Sequence, residues 1–218
     1  MLTDIHSHNA QLVSNQNKVF SLQLHPDINI AEALADLPSG LFLSAGVHPW
    51  HASEWGNAND YLLNTILEAS HFSIIGEVGL DKVCKIPMSE QRYILEFQLR
   101  HANMEALPVL IHNVGCQEEL LALKKKYKQI PSWIIHGFRG KEQAAKQYLS
   151  NGFHLSFGPK YQPNALRICP MDRLFLETDD SNVDLTLLYE RVAQDRSMTI
   201  LDLEKRVAKN FELLCIKQ

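Results

Sequence analysis

Cysteine is scarce and scattered. Cys84, Cys116, Cys169 and Cys215 form no CxxC pair, which excludes a zinc knuckle or a disulfide framework and leaves thiols expected to be free in a reducing compartment. A basic excess is missing as well. With a formal net charge of -4, the chain as a whole carries no electrostatic footprint for duplex DNA. Its one basic run, Lys124-Lys125-Lys126 with Lys128, reads as a solvated helix face. The opening MLTDIHSH has neither a basic n-region nor an apolar h-region, and no apolar run is long enough to span a bilayer. A cytoplasmic location is therefore expected, with no membrane association and no obligate protein partner. Repeats, low-complexity tracts and linkers are also absent, so the 218 residues are expected to bury one core as a single domain over 1–218.

Histidine, by contrast, is plentiful, with ten residues. Their placement follows a pattern of short apolar runs between longer amphipathic segments, the mark of βα units around a parallel sheet. The runs are residues 2–6, 19–23, 41–47, 72–78, 108–112, 132–136, 153–157 and 173–177. Eight strands are what a TIM-like (β/α)8 barrel needs. Runs such as PVLIH, SWIIH and RLFLETD are apolar until a polar residue closes them, as expected of strands buried on both faces. Helical spacing covers 30–37, 60–69, 89–106, 117–128, 141–149, 184–194 and 199–214. Ser89 and Thr199 are the expected N-caps, and Asn151-Gly152 a helix stop. Residues 9–18 are short, polar and without an apolar period, so the first barrel helix is expected to be reduced or missing.

The chemistry collects where strands end. His6 and His8 are two residues apart, and strand alternation points both to one face, within reach of one metal. Glu77 stands between Gly76 and Gly79 in IGEVGLD, His112 closes PVLIH, His136 closes SWIIH, and Glu177 and Asp179 close the eighth run. Any one of these reads as a hydrogen-bonded polar residue. The set does not, because parallel strands would bring five such ends to one rim, where unpaired charge is costly and divalent cations would compensate it. His48 lies in a β-to-α loop of the same rim and is a candidate substrate contact, as in lesser degree are His25 and His51. Lys82, Arg139 and Lys160 are candidates to hold a phosphate. Asp81 is a candidate to orient a ligand. His154 should face away from the rim, and His71 and His101 read as surface or packing residues.

In this order, DIHSH, GVHP, IGEVGLD, PVLIH, IIHGF and LETD resemble the TatD-related deoxyribonucleases along nearly the whole chain. The resemblance implies that His6 and His8 bind a first metal, that Glu77 bridges, that His112 and His136 bind a second and that Asp179 completes the site. It implies two divalent ions (Mg, Mn or Zn) and a metal-dependent hydrolase acting on DNA, single-stranded or at its ends, or on a small phosphoester. Two ions about 3.5–4 Å apart would activate water and stabilise the leaving oxygen, with Asp179 expected to take the water's proton. In relatives bridged by a carbamylated lysine, a Lys would stand where Glu77 stands. The rim departs from the family's pattern at Lys82, Asn113-Val114-Gly115, Arg139 and Asp180-Ser181. That keeps open the hydrolysis of a small ester, lactone or amide by the same centre, and, from another class, a degenerate barrel that only binds. A broken ligand set would mark the latter, and none is broken.

Overall fold

The computed structural model describes residues 1–56, 60–68 and 72–214. Strands β1 (Leu2–Ser7), β2 (Gln16–Gln23), β3 (Phe42–Gly46), β4 (Ile74–Asp81), β5 (Val109–Val114), β6 (Trp133–Ile135), β7 (His154–Phe157) and β8 (Leu174–Leu176) follow chain order in the sheet. The helices are α1 (Ile30–Ala35), α2 (Asp60–Glu68), α3 (Met88–Met104), α4 (Gln117–Lys126), α5 (Glu142–Ser150), α6 (Pro163–Ile168), α7 (Leu185–Asp195) and α8 (Ile200–Glu212). This alternation is the element order of a TIM-like (β/α)8 barrel.

The chain divides into two compact units, one of residues 1–20, 40–42 and 134–218, the other of residues 21–39 and 43–133. In the first, β1 pairs in parallel with the opening of β2, β6 with β7 and β7 with β8. The apolar face of α8 buries Leu203, Val207 and Phe211, and Tyr189 of α7 donates its hydroxyl to the carbonyl of Thr3 at 2.9 Å. No helix lies between β1 and β2. The buried Lys18 does the work a helix would have done, donating Nζ to the carbonyl of Gln11 at 2.7 Å and to that of Asn9 at 3.4 Å. A polar segment with no apolar stripe is thus tied down through its own carbonyls.

In the second unit β3 pairs with β4 and β4 with β5, all parallel. Every residue of β4 is buried, which accounts for its near-continuous apolar composition. Gln98 of α3 is fully buried and accepts from the backbone N–H of Val47 at 2.7 Å, anchoring the loop that carries His48.

Several boundaries differ from the sequence reading. Glu77 and His112 do not close their strands: β4 runs on to Asp81 and β5 to Val114, because backbone pairing of Leu80 with Asn113 and Asp81 with Val114 continues past the apolar runs. Helix α3 begins at Met88 after Pro87 with no side-chain cap, so Ser89 lies inside it; a Pro-set entry replaces the hydroxyl cap. Thr199 does cap α8, accepting from Asp202 N–H, and Asn151 closes α5 with Gly152 at φ +75°. Helix α6 and the 3-10 turn Pro49–Trp55 were not expected; each has a proline at its first turn. Among the described residues Cys84, Cys116 and Cys169 are free thiols. Cys215 and His71 lie outside the described residues.

Candidate metal centre

In the first unit β1 carries His6, and His8 follows just after the strand ends at Ser7. Their rings meet edge to face, 4.8 Å between centroids. The loop after β6 brings the His136 ring to 4.5 Å from that of His6. Strand β8 ends at Leu176, short of the expected Glu177 and Asp179; Asp179, in the segment beyond it, stands with Oδ1 at 3.4 Å from His6 Nε2 and 3.8 Å from His8 Nε2. A ligand atom from each of His6, His136 and Asp179 lies within 4.8 Å of the other two. Two imidazole nitrogens and a carboxylate oxygen in that span suit a borderline divalent ion.

The carboxylates around this cluster have separate tasks. Glu177 is fully buried and places Oε1 3.4 Å from His136 Nδ1 while accepting from the backbone N–H of Gly137. With a proton on Nδ1 facing Glu177, His136 presents Nε2 as its lone-pair nitrogen. Asp4 accepts from Thr178 through both its backbone N–H at 3.0 Å and its hydroxyl at 2.7 Å. Burial raises the Asp4 carboxyl to about 6, against the opposing pull of these bonds. Asp4 thereby fastens the turn that leads into Asp179. The sequence reading did not single it out, although it opens the DIHSH motif.

In the second unit Glu77 lies between two imidazoles. Its Oε1 is 2.9 Å from His112 Nδ1 and 3.2 Å from His48 Nε2, and these three residues form a second group with ligand atoms within 4.8 Å. The other nitrogen of His112, Nε2, faces Asp81 Oδ2 at 3.4 Å. A neutral imidazole has one N–H and cannot donate to carboxylates on both sides. An imidazole that held a cation through Nδ1 would keep its single N–H for Asp81. The residues present thus fit a divalent ion in each unit.

Asp81, the candidate to orient a ligand, is itself held. Trp50 Nε1 donates to its Oδ2 at 2.8 Å and Val83 N–H to its Oδ1 at 2.8 Å. Burial pushes its carboxyl up, but these bonds and His112 together outweigh burial and hold it below the usual range. Trp50 was missed by sequence reasoning, and its partner lies 31 residues away. Only its place directly after GVHP signalled a rim position. His48 proves to be buried rather than an open loop residue. Its Nδ1 accepts from Trp50 N–H at 3.2 Å, capping the 3-10 turn, and its Nε2 faces Glu77. Of the proposed phosphate holders, Lys82 is half-exposed and ion-paired to Glu119 at 3.4 Å, and Arg139 and Lys160 are exposed. His154 opens β7 with its ring 5.7 Å from that of Phe175.

A (β/α)8 element order combined with groups of imidazoles and carboxylates that could hold a metal ion defines a metal-binding barrel class. Within that class the chain belongs to the TatD related DNase family, whose model matches residues 4–215. It is 34% identical over 159 residues to the 3'-5' ssDNA/RNA exonuclease TatD of Cronobacter turicensis, covering 67% of this chain and 60% of that protein. The protein of the same name from Cronobacter sakazakii is 33% identical over 182 residues, covering 78% and 68%. The chain therefore spans about two thirds or less of the length of these relatives. A crystal structure of YjjV, a TatD homolog from Escherichia coli, superposes with a TM-score of 0.79 at 20% identity, over 91% of this chain and 85% of that one. That likeness establishes the fold.

Proposed function

We propose that the chain is a divalent-metal-dependent phosphodiesterase that hydrolyses single-stranded DNA from an end, with His6, His8, His136 and Asp179 as metal ligands in one unit and Glu77 and His112 as metal ligands in the other. The observation that carries the reading is the pair of donor clusters, His6, His136 and Asp179 in one unit and His48, Glu77 and His112 in the other. Family membership supports a metal-binding role for Glu77, and the name of the relatives supports single-stranded nucleic acid as the substrate class. In this reading the chain works as a single catalytic domain in the cytoplasm. Among the described residues no helix is long and apolar enough to cross a membrane.

When bound, the ions would supply Lewis acidity to the phosphoryl oxygen and lower the pKa of a water molecule. The protein's own groups do the rest. Asp179 orients the attacking water and accepts its proton, while Glu177 and Asp81 fix the rings of His136 and His112. Four imidazoles with two carboxylates accept zinc or manganese readily, and magnesium less readily because it prefers oxygen ligands.

A second reading, hydrolysis of a small ester, lactone or amide, draws on one observation: Lys82, at the changed rim, is engaged by Glu119 and not committed to a phosphate. The test is a panel of single-stranded DNA, bis-p-nitrophenyl phosphate and carboxylic esters, each assayed with magnesium, manganese and zinc. The first reading expects turnover of the phosphodiesters above the esters, and the reverse order would support the second.

A further inference from the structure

We propose that His25, His51 and Glu54 form an additional binding site for a divalent transition-metal ion, outside the candidate centre. All three lie in the second unit. His25 follows β2 in the loop toward α1, while His51 and Glu54 are three residues apart in the 3-10 turn Pro49–Trp55. In a 3-10 turn residues i and i+3 eclipse one another, so His51 and Glu54 project from one edge.

One carboxylate receives both imidazoles. Glu54 Oε1 is 2.8 Å from His51 Nδ1 and Oε2 is 3.3 Å from His25 Nδ1. The two rings stand edge to face with centroids 4.5 Å apart, and a ligand atom of each residue lies within 4.8 Å of the others. Metal–nitrogen bonds of about 2.0–2.1 Å in a tetrahedron place ligand atoms about 3.3 Å apart. Small side-chain rotations therefore close the set, and these are inexpensive where side chains are 35%, 28% and 46% exposed. The same exposure leaves water to fill the remaining position.

Two imidazole nitrogens with one carboxylate oxygen favour zinc, nickel or copper over magnesium or calcium. An ion there would link the loop after β2 to the turn that carries Trp50 and follows the capping His48. The consequence is a gain in stability on binding, since binding to the folded state alone stabilises it.

The test compares the wild-type chain with the His25→Gln/His51→Gln double variant and with Glu54→Gln, each stripped of metal, checked by circular dichroism and dialysed against micromolar zinc. Elemental analysis should find one zinc per chain fewer in the double variant. Thermal melts should show a smaller zinc-induced rise in Tm for both variants, while excess magnesium alone should not distinguish them from wild type. Equal zinc content and equal Tm response in all three proteins would overturn the proposal. Because no ligand of the candidate centre is altered, this outcome is independent of whether the chain cleaves nucleic acid.

Discussion

Asp179 is held by the strand that carries His6: its backbone N–H donates to the His6 carbonyl at 2.9 Å while its carboxylate stands 3.4 Å from the His6 ring. The backbone of Asp179 is left-handed, φ +56°, a conformation Asp tolerates better than most residues and one that recurs at functional sites. Asp179→Asn keeps the shape and one acceptor oxygen but cannot take a proton near neutral pH. We expect kcat on a phosphodiester to fall by about two orders of magnitude or more, with metal content by elemental analysis falling far less. Near-normal turnover would rule Asp179 out as the base, and loss of all metal would make it a ligand only.

The Trp50 indole acts through Asp81. Removing its N–H in Trp50→Phe takes away one of the bonds that fix the carboxylate facing His112, and Asp81→Asn removes the charge itself. Carboxylates behind a ligating imidazole are worth about 10- to 100-fold in metal affinity. A zinc titration of the stripped proteins should show that loss for Asp81→Asn and a smaller one for Trp50→Phe. Unchanged affinity in Asp81→Asn would remove its orienting role.

Gly79 permits the close approach of β4 and β5. A Cβ placed there would lie 1.9 Å from the His112 carbonyl oxygen and 2.7 Å from the carbonyl carbon, both backbone atoms that cannot rotate away. Gly79→Ala should cost about 3 kcal/mol or more and displace His112, and urea unfolding monitored by fluorescence measures it. A loss under about 1 kcal/mol would show that the strands part without penalty.

Alkaline stability should depend on Tyr161. Burial, then its 2.7 Å hydrogen bond to Asp195, raise the phenol from 10.0 to about 12. The folded chain therefore keeps a proton that the unfolded chain releases, and stability falls as pH rises from about 10 to about 12. The span corresponds to about 3 kcal/mol at most. Tyr161→Phe should be flatter across that window in pH-dependent melts, and parallel curves for the two proteins would count against the linkage.

Much of the barrel was readable because its strands are buried on both faces, so apolar runs such as PVLIH announce themselves. The missing first helix was readable from the polar stretch before Val19, but Lys18 as its tether was not, since a lysine ordinarily signals surface. Glu77, His112 and Asp179 could be named from their motifs. Their settings could not, because Trp50 to Asp81 and Asp4 to Thr178 are pairs distant in sequence. The entry into α3 was misplaced at Ser89 because Pro87 sets the backbone without any side-chain hydrogen bond.

Nucleic-acid cleavage should depend on metal held through Glu77. The most direct measurement follows end-labelled single-stranded DNA incubated with metal-stripped wild-type chain, the same chain reloaded with magnesium, manganese or zinc, and reloaded Glu77→Gln, with metal content measured in each. Progressive loss of nucleotides is expected only with the reloaded wild-type chain, alongside lowered metal content in Glu77→Gln. Equal cleavage by the stripped chain, or by Glu77→Gln, would contradict it.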